Sequence, residues 1–178
     1  MKTRDMALIA LFAALIAICA WISIPAPVPF TLQTMAVFLA VGLLGGKRGS
    51  IAVAVYIMLG AVGLPVFSGF NGGIGALLGP TGGYIIGFLA CALVMWGFLR
   101  IFGSGTWFMI AAMVLGLLVC YALGTVWFMV VYTRTKGAIT LTGVLSSCVF
   151  PFIIPDLAKG ALALALTGRL KKLVPAAA

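Results

Sequence analysis

Two ionisable side chains stand inside an otherwise apolar stretch, Asp156 and Lys159 of PFIIPDLAKGALALAL. An i, i+3 spacing puts them on one face of a helix. Two accounts fit. In the plainer one, Asp156 caps a helix that starts after Pro155, and Lys159 neutralises it. In the other, the carboxylate accepts N–H groups from a solute and the ammonium meets an anion. Burying such groups in an apolar phase costs at least ~2.5 kcal/mol, and that cost favours a functional reading.

Other polar candidates are few. Asn71 carries an amide that both donates and accepts; beside glycine it is equally a turn residue. Gln33 is the sole glutamine and opens an apolar run with Thr31 and Thr34. Its amide either caps that run's helix or faces a pocket. Tyr84 offers a hydroxyl and a ring, or serves as a membrane-interface aromatic. Asn71 and Tyr84 both belong to the glycine-dense stretch 63–84, GLPVFSGFNGGIGALLGPTGGY. So many glycines do not suit a regular helix, since each costs about 1 kcal/mol relative to alanine. A flexible linker would be polar, whereas this stretch carries Leu64, Val66, Phe67, Phe70, Ile74, Leu77 and Leu78. We therefore expect an ordered, apolar loop that lines a pocket, with Gly73 among its backbone positions.

The remaining composition excludes most chemistry. The chain has 178 residues, 65% hydrophobic and 7% charged. Its mean hydropathy is +1.33. These values belong to polytopic membrane proteins. The net charge of +9 comes from eleven basic residues against two acids. With no polar face to carry a basic patch, that charge fits topology and anionic lipid better than nucleic acid. There is no histidine, and the only acids are Asp5 and Asp156, so neither paired-carboxylate hydrolysis nor a metal cluster is expected. GLLGGKRGS resembles a nucleotide loop but fails GxxxxGK[ST], with Val41 and Arg48 at the deciding positions. The chain is not expected to hydrolyse ATP, to act as an enzyme or to hold a cofactor. Cys19, Cys91, Cys120 and Cys148 all sit in apolar runs without CxxC spacing and read as small buried hydrophobes.

The predicted architecture is an all-α integral membrane protein, one domain over 1–178, with six transmembrane helices. Their expected bounds are 6–24, 31–45, 50–63, 83–101, 107–132 and from Asp156 to the basic end at Arg169, Lys171 and Lys172. The first has a signal-like start but is read as a retained helix. Pro25, Pro27 and Pro29 force an extended turn after it. Gly46-Lys47-Arg48-Gly49 reads as a tight basic turn. Residues 138–154, broken by Pro151 and Pro155, read as a short outer helix or re-entrant piece. With both termini cytoplasmic, the inner side holds Lys2, Arg4, Lys47, Arg48, Arg100, Arg169, Lys171 and Lys172. The outer side holds Arg134 and Lys136. That distribution satisfies the positive-inside rule. It brings the proline turn, the glycine-rich loop between helices three and four, and the start of helix six to the outer face, a convergence that a binding site requires. In the first helix, Ala10, Ala13, Ala14 and Ala17 form AxxxA pairs suited to close helix packing, whether inside the fold, between copies or on a partner.

The stretches FTLQTMAVFLAVGLLGGKRG, YIMLGAVGLPVFSGFNGGIGALLGPTGGYIIGF and PFIIPDLAKGALAL resemble the biotin-specific substrate-binding (S) component of energy-coupling-factor (ECF) vitamin transporters, the BioY family. The resemblance covers nearly the whole chain in order. It implies a six-helix membrane fold with an outward-facing vitamin pocket, in the cell membrane. It also implies a transmembrane coupling subunit (EcfT-like) and two cytoplasmic ATPases as partners. Vitamin contacts then map onto Asn71, Tyr84, Asp156 and Lys159, with Phe67, Gly73 and Gln33 beside them. Partner docking maps onto Ala10, Ala13, Ala14 and Ala17. Phe30, Phe67, Phe70 and Trp127 are available as apolar walls. Biotin presents two ureido N–H donors, a carbonyl, an apolar ring and chain, and a carboxylate. Asp156 can accept N–H groups, Asn71 can satisfy the other ureido edge, and Lys159 can pair with the carboxylate or hold Asp156 ionised. A stand-alone facilitator, an S component for another vitamin and an integral-membrane enzyme are the alternatives.

Overall fold

The computed structural model describes residues 2–26 and 28–171; Pro27 of the proline turn and Lys172 of the basic end lie outside the described residues. The chain folds as helices α1 Thr3–Trp21, α2 Gln33–Leu44, α3 Gly46–Ala61, α4 Ile74–Leu78, α5 Gly82–Phe102, α6 Thr106–Lys136, α7 Leu141–Cys148 and α8 Phe150–Leu170. Among the described residues, α1, α5, α6 and the α7–α8 stretch are long and apolar enough to cross a membrane. α2 and α3 are shorter. Their interior faces nonetheless fill the middle of the bundle: Val37, Ala40, Val53 and Tyr56 are buried. Apolar residues on nearly every face of α2 explain this placement, since a helix hydrophobic all round belongs inside.

Element ends depart from the sequence expectations in instructive ways. α1 stops at Trp21 rather than Ile24, because Ser23–Ile24 pair antiparallel with Phe30–Thr31 as a short ribbon, β1 and β2. Two ladder pairs thereby satisfy backbone groups of the residues that flank the prolines. The expected basic turn at 46–49 is the first turn of α3. The real turn is Gly45 alone, at φ +81°, a conformation that glycine adopts without a Cβ penalty. Placing Arg48 on that helix lets its guanidinium donate to Asp5 Oδ2 at 2.8 Å and tie α1 to α3. α8 begins at Phe150 and continues through Pro155. Pro151 falls in the first turn, where its missing N–H is harmless. Pro155 removes one ladder bond, which membrane helices tolerate when neighbours compensate.

The glycine-dense stretch between α3 and α5 is folded. It contains a 3-10 turn at Ser68–Phe70 and the five-residue helix α4. The Phe67 N–H donates to the Asn71 carbonyl at 2.9 Å, closing the turn, and the Gly73 N–H donates to the Gly60 carbonyl at 2.7 Å. Two indoles pin it near its two ends. Trp21 Nε1 donates to the Pro65 carbonyl and Trp127 Nε1 to the Gly79 carbonyl, each at 2.9 Å. Gly60 leaves room for the Phe67 ring, which a Cβ there would strike.

Candidate functional site

The ends of several helices meet at one pole of the bundle. They are the C-terminal ends of α1 and α3, the N-terminal ends of α2, α5 and α8, and the middle of α6. Between them lies a cavity of about 540 Å³, within the range of about 300–1,000 Å³ usual for small-molecule sites. Its wall is built from pieces far apart in sequence. Gln33 comes from α2, Phe67 and Asn71 from the glycine-rich segment, Tyr84 from α5, and Asp156 and Lys159 from α8.

Asp156 and Lys159 form the strongest polar feature. Lys159 Nζ donates to Asp156 Oδ1 at 2.8 Å, with the residues only 3% and 7% exposed. Tyr121 of α6 donates its hydroxyl to Asp156 Oδ2 at 2.6 Å. Both carboxylate oxygens therefore receive a donor, which offsets the cost of burying the charge. The ammonium also lies 3.9 Å from the centroid of the Phe30 ring, a cation–π contact. Phe30 in turn packs on Phe152, ring centroids 5.6 Å apart. The lysine thus keeps two of its three donors beyond the bond to Asp156. Asp156 is not a helix cap, because α8 starts well before it.

The other side chains divide by how occupied they already are. Gln33 is the first residue of α2 and makes no capping bond. Its Oε1 accepts from the Thr31 hydroxyl at 3.0 Å, and its Nε2 donates to the Tyr56 hydroxyl at 2.7 Å. This chain of polar contacts holds the amide rigidly against the cavity. Asn71 Nδ2 donates to the Ser68 carbonyl at 2.9 Å, so the amide nitrogen serves the turn. Tyr84 is buried rather than interfacial, seated where Gly124 offers no Cβ to obstruct its ring. Among the described residues its hydroxyl has no hydrogen-bond partner, nor does that of Thr125. Phe67 packs edge-on against Tyr56 at 5.6 Å.

Six of the seven expected pocket residues line this one cavity. Gly73 lies just outside the wall, preceding α4 at φ +87°. Of the expected apolar walls, Phe70 turns outward to stack on Trp21, Trp127 pins the segment's backbone, and Phe30 stands behind Lys159. Ala10, Ala13, Ala14 and Ala17 do not share one outward face. Ala13 and Ala17 are buried in the bundle, and only Ala10 and Ala14 reach its surface. Tyr121 was not singled out by sequence. A tyrosine in an apolar helix gives no signal, and only the i, i+4 run from Leu117 hints that it shares a cavity-facing stripe.

The fold and cavity define a multi-pass membrane protein that encloses a solute-sized, mostly apolar chamber with a buried ion pair in its wall. Over residues 1–176 the chain matches the model of the BioY family, and it belongs to that family. It is 45% identical to the biotin transporter BioY of Thermotoga maritima, over 92% of this chain and 93% of that protein. It is 42% identical to the probable biotin transporter BioY of Pyrococcus horikoshii, over 96% and 98% respectively. Among solved structures, it superimposes on the S component for biotin from an ECF-type ABC transporter with a TM-score of 0.83. That match has 31% identity and covers 97% of this chain and 95% of the other. The family is one of transporters, not of enzymes.

Removing the Tyr121 hydroxyl leaves a buried carboxylate oxygen without its donor. Tyr121→Phe should cost about 1.5–3 kcal/mol, the scale for hydrogen bonds to charged groups. A lower unfolding midpoint in detergent is the expected outcome, and an unchanged midpoint would contradict the bond.

Proposed function

We propose that this chain takes up biotin as the membrane-embedded substrate-binding subunit of an ECF-type ABC transporter. The observation that carries the reading is the buried Asp156–Lys159 pair in the cavity wall, in a chain of the BioY family. Biotin's ureido group is small, neutral and rich in N–H donors. Asp156, whose two oxygens accept from Lys159 and Tyr121, keeps further acceptor positions and is the natural partner for those donors. The unpartnered Tyr84 hydroxyl and the free edges of Asn71 and Gln33 can take the remaining polar positions. Lys159, bonded to Asp156, lies at that same ureido end of the solute and can donate to the ureido carbonyl. Phe67, Ile85, Phe88 and Phe152 supply apolar wall for the ring and chain.

In this reading six helices cross the membrane: α1, α2, α3, α5, α6 and α8. The two short ones are shielded by the others. Lys2, Arg4, Lys47, Arg48, Arg100, Arg169 and Lys171 cluster at the pole opposite the cavity, whereas Arg134 and Lys136 share the cavity's pole. The positive-inside rule then places the cavity outside and both termini in the cytoplasm. The glycine-rich segment forms the outer cover over the solute. Nothing in the chain can perform ATP hydrolysis, so work comes from two cytoplasmic ATPases through an EcfT-like coupling subunit. The exposed pair Ala10 and Ala14 is the part of the alanine strip available to dock that subunit. Close approach of a partner helix needs small residues there.

Asp156→Asn should weaken biotin binding at least tenfold, equivalent to about 1.4 kcal/mol. Isothermal titration of the purified protein checks this, and unchanged affinity removes Asp156 from the site. Ala14→Trp should abolish biotin uptake in cells carrying the coupling module while leaving biotin binding intact. Full uptake by that variant would mean that the partner docks elsewhere.

A further inference from the structure

A second space opens between α6 and α8, away from the solute chamber. It measures about 190 Å³ and is lined by Phe38 of α2, Ile110, Val114 and Leu117 of α6, and Leu157 and Ala161 of α8, among others. Val114 and Leu157 are 41% and 54% exposed, so the space opens sideways toward the bilayer. Asp156 and Leu117 border both spaces, which places the crevice directly behind the ion pair.

The crevice has a direction. On α6 one stripe runs Trp107, Ile110, Val114, Leu117, Tyr121 at alternating spacings of three and four. On α8 the matching stripe runs Leu157, Ala161, Leu164, Gly168, Lys171. The Tyr121–Asp156 bond fixes the level of the two stripes at the closed end. At 1.5 Å rise per residue, Trp107 lies ~21 Å below Tyr121, and Lys171 lies ~22 Å below Asp156. Both therefore reach the same depth at the other end. There the α6 stripe finishes in an indole that is 82% exposed and the α8 stripe in an exposed lysine, with exposed Arg169 beside it. At Gly168 a Cβ would meet nothing within 4 Å, so no neighbouring side chain covers α8 at that level, between the lined space and the mouth. From Trp107 to Leu117 is ~15 Å, about half of a ~30 Å hydrocarbon core.

An apolar space that two stripes continue to a tryptophan and cationic side chains, about one leaflet away, suits a single lipid tail with its headgroup. We infer that this crevice binds one phospholipid with an anionic headgroup, one acyl chain lying between α6 and α8 and the phosphate at Lys171 and Arg169. Basic residues at the membrane surface favour anionic over zwitterionic lipid, and the indole suits the headgroup level. The chain's inner part abuts the back of Asp156, so the lipid fills space that would otherwise leave the pair's helix unsupported.

The test uses the full chain in nanodiscs of equal parts phosphatidylglycerol and phosphatidylcholine, extracted in mild detergent and examined by native mass spectrometry. The wild type should retain one phosphatidylglycerol, favoured over phosphatidylcholine by about thirtyfold, as Lys171 and Arg169 together at the surface predict. Ala161→Trp, which fills the slot, should lose retention. Lys171→Glu, which leaves the slot intact, should erase the headgroup preference. Retention that is absent from the wild type, or equal for both lipids, or unchanged in both variants, would overturn the site. A dimer cross-linked through position 161 in place of bound lipid would overturn it in favour of a second copy of the chain. Biotin binding is not read in this experiment, so its loss would count against the transport reading alone.

Discussion

An ion pair sealed in oil is the constraint around which this molecule is arranged. Asp156 and Lys159 are almost fully buried, in a chain with one other acid and no histidine. A buried charge without partners is expensive, and removing one member of such a pair costs about 3–5 kcal/mol. The neighbouring structure offsets that cost group by group. Tyr121 supplies the second donor, Phe30 a ring face for the ammonium, and Phe152 a backing for Phe30. These groups come from α6, β2 and α8, so satisfying the pair also fixes three elements relative to one another.

The rest of the chamber is organised by rigidity rather than charge. The glycine-rich segment is not loose. Its turn closes through Phe67 and Asn71, and indoles from α1 and α6 hold its carbonyls. Gln33 is gripped by Thr31 and Tyr56. A wall whose polar groups already sit in place loses little conformational freedom when a solute arrives, and that is how a mostly apolar pocket obtains affinity. The same stiffness accounts for glycine at Gly60 and Gly124, where large rings occupy the space a side chain would take. At the opposite pole, Arg48 and Asp5 brace α1 against α3 and so hold the helix that presents Ala10 and Ala14.

Much of this was legible in the sequence because hydropathy and charge placement are coarse, robust signals. The helices, the outlying α7 region and the convergence of the glycine-rich segment with the start of the last helix could be read from hydropathy and charge placement; that Asn71, Tyr84, Asp156 and Lys159 share one pocket was what the BioY resemblance implied. Finer features depended on contacts that sequence does not carry. Proline read as a breaker at 155, yet the helix passes through, because its stop is decided by packing and not by one missing N–H. The tight turn was placed on Lys47 and Arg48, though one glycine at positive φ suffices. The alanine strip looked continuous at helical spacing. Which alanines face inward depends on where α2 and α3 lie, and that split the strip. Tyr121 was invisible because its significance comes entirely from a carboxylate 35 residues away.

The most direct measurement is a structure of the purified chain with biotin bound. The account places the vitamin in the chamber beneath the glycine-rich segment, with its ureido nitrogens within about 3.2 Å of an Asp156 oxygen. Biotin density at any other location, or in the chamber with Asp156 and Lys159 still bonded only to protein, would contradict it.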